Sequence, residues 1–309
     1  MIKYGIQRFM YMIITLLIIA TATFFLMKLL PGSPLQNQEK LSPEQKVMIL
    51  EQYGLNDPLP IQYINYMANL AQGDLGLSFK YDGRPVTTII GERIGPSALL
   101  GGQAMILGTI IGLFLGILAA IKHNTFWDYG STFAAVIGIS VPSFVFAALL
   151  QYYVGVQWGI LPVALWDGWE YSILPTIALA VGVTATIARF ARTEMLEVLG
   201  SDYIVLARAK GVSGTKIITR HAIRNAMIPI ITIIGPMTVG VMTGSLVIEQ
   251  IFAVPGLGPQ FTNSIVQNDY PVIMGVTLFF SILFIAVIFI IDLLYGVIDP
   301  RIRLAGGKK

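Results

Sequence analysis

The sequence predicts an all-α polytopic membrane protein with six transmembrane helices and a small helical segment outside the bilayer. Three observations carry that prediction. Of the 309 residues, 55% are hydrophobic and only 12% charged, where a soluble domain carries about 25% charged residues. Mean hydropathy is +0.73. Six stretches free of charged residues, 9–27, 94–121, 129 to about 155, 171–188, 225–248 and 270–291, match the roughly 20 apolar residues that a helix needs to cross hydrocarbon. Sheet is excluded for such spans, because an unclosed sheet in lipid leaves its backbone polar groups unpaired.

The first span, in "MIKYGIQRFMYMIITLLIIATATFFLMKLL", starts basic and then runs apolar. It is longer than a signal-peptide core and no A-x-A site follows, so it is read as a retained helix. The segment 31–93 is expected to form external amphipathic helices. In "LSPEQKVMILEQYGL", Ser42 is the expected N-cap, Pro43 the first helical residue, Gln45 the capping-box partner and Gly54 the stop. "PIQYINYMANLAQG" is a second helix ending at Gly73, and "RPVTTIIGERIG" a short interfacial helix before span two. Within span two, Gly108, Gly112 and Gly116 recur every fourth residue. That is a face for close helix approach, or simply the glycine usage of membrane helices. Pro142 in span three, and Pro229 and Pro236 in span five, mark candidate helix breaks that can lie along a pathway.

Charge placement sets an orientation. With the N-terminus inside, the inner face receives Lys3, Arg8, Lys122, Arg301, Arg303, Lys308, Lys309 and the basic residues between spans four and five. The loops 156–170 and 249–269 hold no Lys or Arg. Lys40, Lys46, Lys80, Arg84 and Arg93 fall outside, in a long segment that counts weakly. Both termini are therefore expected to be cytoplasmic.

One segment departs from the hydrocarbon around it. Between Arg189 and Arg224 stand seven Lys/Arg and three acids, within a helix–glycine–helix pattern. Ser201 or Asp202 can cap "DYIVLARAK", Gly211 stands where a left-handed residue is needed, and Ser213 can cap a helix running into span five. Tyr203, Leu206, Ala207 and Lys210 share one side. The helix can rest on anionic headgroups. Its small residues Ala207, Ala209 and Gly211 suit docking against protein instead.

In this segment the sequence resembles the EAA-type cytoplasmic loop of ABC-importer permeases, in "SDYIVLARAKG" and "RHAIRNAMIP". "GDLGLSF", "GISVPSF", "IFAVPGLGPQF", "DYPVIMG" and "LLYGVIDPRIR" continue the likeness along the chain, which is similar to the oligopeptide/dipeptide (OppB-like) permeases. Val205 stands where the general loop pattern has Glu, and Ile223-Arg224 where it has Leu-Pro. The resemblance implies a type I ABC importer permease fold and a non-catalytic role. It implies ATPase coupling through Asp202, Tyr203, Leu206, Ala207, Arg208, Ala209, Lys210, Gly211, Ser213, His221 and Asn225. It also implies a second homologous permease, two cytoplasmic ATPase subunits that hold ATP and Mg, and an extracellular peptide-binding lipoprotein in a prokaryotic cell membrane. The expected cargo is oligopeptide, with dipeptides, glutathione or nickel chelates as alternatives. The expected organisation is 1–30 first helix, 31–93 external helices, 94–300 five-helix core with coupling loop 191–226, and 301–309 tail.

Other classes are disfavoured by residue content. The chain has no cysteine and two histidines, which removes thiol chemistry and leaves no resident metal or cofactor expected. "KGVSGTK" lacks the glycine before Lys of a phosphate-binding loop. A net charge of +3 argues for no nucleic acid. An ion-coupled secondary transporter needs acids or histidines inside the membrane, and the six span cores have none. Asp167, Glu170, Glu249 and Asp269 are read as loop charges that can meet a docking partner or a peptide amino end.

Overall fold

The computed structural model describes residues 2–29, 44, 50–51 and 54–298. Ser42, Pro43 and Gln45, expected to start the first external helix, and the tail 301–309 lie outside them. Among the described residues there is no strand, only an isolated bridge between Leu77 and Pro85. The helices are α1 (Ile2–Leu29), α2 (Leu59–Ala71), α3 (Val86–Ile121), α4 (Phe126–Ser140), α5 (Ser143–Leu150), α6 (Ile173–Leu199), α7 (Asp202–Ala209), α8 (Ile223–Gly244), α9 (Leu246–Ile251), α10 (Leu257–Val266) and α11 (Tyr270–Ile298). Among the described residues, five helical stretches are long and apolar enough to cross a membrane, and a sixth arises if α4 and α5 with its extension form one bent span.

The chain divides into two compact units, 1–95 with 259–309, and 96–258. In the first, α1 lies along α11 and carries α2 on its later turns. Phe24 stacks on Tyr66 at 5.4 Å and Phe25 on Tyr63 at 5.6 Å. The Thr21 and Tyr63 hydroxyls are 2.8 Å apart, and Lys28 donates to Gln62. Gly73 ends α2 with φ +79°, its N–H bonded to Leu70 and that of Asp74 to Asn69. That is the glycine-dependent stop the sequence signalled. Gly54, at φ +62°, closes the preceding turn the same way.

In the second unit α6 is the central helix, with α4, α5 and α8 against it. The glycine face of α3 meets it as well. A Cβ at Gly108 would lie 2.6 Å from Val183 Cβ, and one at Gly112 2.8 Å from the Thr184 carbonyl oxygen. One at Gly116 would fall 2.7 Å from Ala191 Cβ. The four-residue repeat is therefore a contact surface, and glycine is there because backbone meets backbone. Gly138 of α4 repeats the arrangement, with Ala185 Cβ at 2.8 Å.

Four expectations need correction. The interfacial helix before span two is the opening of α3 itself, because nothing after Val86 breaks the helix until Ile121. Span three is not one helix: α4 and the Ser143–Gln157 stretch meet at 98°. The cause is Pro142, which forces Val141 extended (ψ 123°). Pro229 and Pro236, by contrast, lie inside α8 without ending it. Each frees one carbonyl, yet α8 stays packed along α6, with Ile234, Met237 and Val241 against the buried Val183 and Ile187. Finally, α6 continues to Leu199, so Arg189, Arg192, Glu194 and Glu197 stand on helix and not in a loop.

Candidate functional site

The charged segment folds as a short helix on a glycine elbow. α7 begins after Ser201, whose extended backbone (ψ 150°) makes it the N-cap. Its hydroxyl donates to the Val198 carbonyl at 2.6 Å instead of capping α7. Ser213 also holds the cap position without a side-chain cap bond. The two serines mark the boundaries but do not supply the expected capping bonds, since each helix start is instead closed by main-chain bonds to the serine carbonyl.

At the other end of α7, Gly211 adopts φ +78°. Its N–H reaches the Arg208 carbonyl at 2.9 Å, and the Val212 N–H reaches Ala207 at 3.1 Å. These are the paired bonds of a Schellman stop, which needs a left-handed residue at this position. Nothing lies within 4 Å of a Cβ built on Gly211. The requirement for glycine is therefore conformational and not steric.

The orientation of α7 follows from one residue that the sequence did not single out. Ile204 is fully buried, and Ala207 beside it half-buried. These two turn one side of α7 toward the chain, against the π turn Ile217–Ala222 that precedes α8. Val205 (56% exposed) and Leu206 (55%) turn the other way, with Asp202, Arg208, Ala209 and Lys210 also exposed, while Tyr203 lies at the flank, 43% exposed. Nothing in "DYIVLARAK" sets Ile204 apart from its apolar neighbours Tyr203, Val205 and Leu206. The site residues are then tied together: Asn225 donates through Nδ2 to the Tyr203 hydroxyl at 2.8 Å and to the His221 carbonyl at 3.0 Å. The side chain that bridges α7 to α8 thus also satisfies a carbonyl of the π turn, where the regular bonding pattern is interrupted. Below, Met195, Ala222 and Ala226 form a buried cluster with Ala120, joining α3, α6 and α8 beneath the elbow.

A second polar arrangement lies at the same end of the unit. Asp128, 1% exposed, accepts from Arg192 Nε at 2.5 Å and from a second guanidinium nitrogen at 3.1 Å. His123 Nδ1 stands at 2.9 Å and the Asn124 N–H donates at 2.9 Å. Sequence reasoning does not reach it, because Asp128 lies one residue outside the uncharged core of span three and Arg192 falls within the expected coupling loop 191–226.

At the opposite end, Glu249 is not a solvated loop charge; it is 1% exposed. It accepts the Ser245 hydroxyl, and the Gly258 N–H at 2.9 Å near the start of α10, a position where a helix favours an anion. Ser97 accepts the Leu257 N–H at 2.9 Å. Gly256 has no room for a Cβ between Glu249 and Ser97, and one at Gly258 would lie 2.8 Å from the Glu249 carboxylate. This close approach explains "VPGLGP". Asp269, in the other unit, is likewise fully buried and receives the Ser78 hydroxyl at 2.5 Å and the Phe79 N–H at 3.0 Å. Both acids are therefore withdrawn from the docking role expected of them. Asp167 remains exposed and Glu170 partly so. Among the described residues no group of three or more His, Asp or Glu is placed to hold a metal ion.

Comparison with known proteins gives concordant results. Residues 112–304 match the family described as binding-protein-dependent transport system inner membrane component, and residues 1–93 match its N-terminal counterpart. The dipeptide transport system permease protein DppB of Bacillus subtilis is 46% identical over 305 residues, covering 98% of this chain and 99% of that one. DppB of Lactococcus lactis is 43% identical over 304 residues, covering 98% and 100%. The oligopeptide transport system permease protein OppB of Salmonella typhimurium is 42% identical over 307 residues, also covering 98% and 100%. In fold, the chain resembles the crystal structure of an amino acid ABC transporter with histidines. The TM-score is 0.52 at 18% identity, covering 67% of this chain and 93% of that one.

Proposed function

This chain belongs to the family of binding-protein-dependent transport system inner membrane components, and from that premise we propose that it forms half of the translocation path of an ATP-driven peptide importer. It is a transport subunit and not an enzyme. In this reading the remaining parts are a second homologous permease, two cytoplasmic ATPase subunits that hold ATP and Mg, and an extracellular peptide-binding lipoprotein. Both termini face the cytoplasm, in keeping with the Lys/Arg distribution.

The observation that carries the reading is α7: a short helix seated by Ile204, bonded to α8 through Tyr203 and Asn225, and presenting Val205 and Leu206 outward. ATP can bias the permease only through a contact that differs between its two states. A braced helix with an exposed apolar face supplies such a contact. We assign the coupling role to residues 200–225, with Gly211 as elbow and 213–225 as lever.

For cargo, we propose oligopeptides. An uncharged path tolerates peptides of varied sequence, because fixed side-chain pairing would penalise most of them. Dipeptides are the second reading, since relatives of both names are equally extensive. Gentle purification of the chain from its native membrane tests the assembly: two ATPases and a peptide-binding lipoprotein should accompany it, and the peptides held by the lipoprotein give the cargo length. Import that persists without ATP and collapses with ionophores would establish ion coupling instead.

A further inference from the structure

The coupling reading leaves a cleft in residues 96–258 unused. Between α3, α4 and α6, at the ends nearest α7, lies a cavity of about 270 Å³ whose walls include Arg189, Arg192, Ser131, Thr132 and Thr193. A second cavity, of about 280 Å³, shares Ser131, Ala135 and Ala188 with it and continues along the same helices. Its other walls are aliphatic, among them Leu107, Ile111, Leu115 and Ile177, apart from Thr184. The cleft is therefore amphiphilic along its length, polar and cationic at one end and hydrocarbon at the other.

The charges are unequal. Arg192 is engaged by Asp128 through two bonds, so its charge is largely offset. Arg189 is exposed and has no ion-pair partner among the described residues, and the Ser131 and Thr132 hydroxyls have no hydrogen-bond partner there. Around the polar end the surface is apolar: Phe133 (68% exposed), Val136 (54%) and Ile139 (48%) stand beside it. A free cation and two free hydroxyls set in an exposed apolar surface call for an anion that arrives with its own hydrocarbon.

We infer that this cleft binds an anionic glycerophospholipid. The phosphodiester sits at Arg189 with Ser131 and Thr132 donating to it, and an acyl chain lies in the aliphatic extension. Basic pockets between membrane helices recognise headgroups in this way. The acyl chain contributes little selectivity, because bulk lipid is equally apolar. Selectivity comes from the headgroup: a zwitterionic lipid brings its own ammonium close to Arg189, and an anionic one does not. A soluble anion would use the polar end and leave the extension without a role.

The test uses the full chain in its complex, reconstituted in bilayers of equal parts phosphatidylglycerol and phosphatidylcholine and then extracted in mild detergent. Co-purifying lipid is quantified by mass spectrometry. Phosphatidylglycerol should be enriched about fivefold, the effect of one basic residue at a lipid headgroup. Arg189→Gln should return the ratio to that of the bilayer, and Arg189→Lys should retain most of the enrichment. Lys122→Gln, which removes an exposed cation outside the cleft, should change nothing. The inference is overturned if Arg189→Gln keeps the enrichment, or if phosphatidylcholine is retained as well as phosphatidylglycerol. It is equally overturned if excess inorganic phosphate displaces the lipid. It fails too if the assembled complex holds no lipid above the bilayer ratio, which would mean that another chain covers the cleft. Leu206→Asp on α7 should abolish ATPase association and leave the enrichment intact, so failure of the coupling reading and failure of the lipid site are read separately.

Discussion

Gly211 carries the elbow through its backbone alone. Its φ of +78° with open space around the missing Cβ separates two substitutions of similar size. Asn visits the left-handed region at small cost, whereas a β-branched residue is strained there by about 1–2 kcal/mol. Gly211→Asn should therefore retain ATP-driven import in proteoliposomes. Gly211→Val should insert and assemble normally yet import at a small fraction of the wild-type rate; import at the normal rate would remove the elbow from the mechanism. Glu249 supports the opposite end. Glu249→Ala leaves the buried Gly258 N–H without its acceptor, at about 1–3 kcal/mol, and should lower the melting temperature of the detergent-purified chain by several degrees. Glu249→Gln retains an acceptor and should lose less. Equal melting of the two variants would mean that the carboxylate is not what holds the loop.

At the scale of elements, the α3–α6 contact makes the sharpest prediction. Three glycines bring the helix backbones together, so an added side chain cannot be absorbed by a rotamer change. Gly112→Leu should cost at least the 1–3 kcal/mol of ordinary overpacking, visible as reduced folded yield and earlier thermal unfolding. Gly102→Ala, on the same helix with nothing within 4 Å, should be neutral or slightly stabilising, as Ala is the better helix former. If both behave alike, the repeat is compositional and not a packing surface. Elements of this kind were legible in the sequence. The glycine spacing, the stops at Gly73 and Gly211 and the proline break at Pro142 are all local rules of backbone geometry. What could not be read depends on partners that only the folded chain brings together. Nothing near Glu249 foretells that the Gly258 N–H returns to it. Asp128 reads as a loop acid until Arg192, 64 residues later, is seen on α6. Ile204 is an ordinary apolar residue until the π turn before α8 closes over it.

For the whole molecule, the account joins a membrane path without ionisable residues in its span cores to a motor on separate chains. On the proposed reading, an uncharged path tolerates cargo of varied sequence, and α7 is where the energy enters. Relatives at 42–46% identity along nearly the full chain and the shared permease fold fit that division of labour. The absence of cysteine from the chain makes the coupling claim directly measurable. Leu206→Cys places a single thiol on the exposed face of α7, and a bifunctional thiol reagent reports what lies against it. The account predicts one crosslinked product with an ATPase chain, at a yield that changes between the nucleotide-free and ATP-bound complex. A thiol that labels freely at an equal rate in both states, with no ATPase adduct while import proceeds, would contradict it.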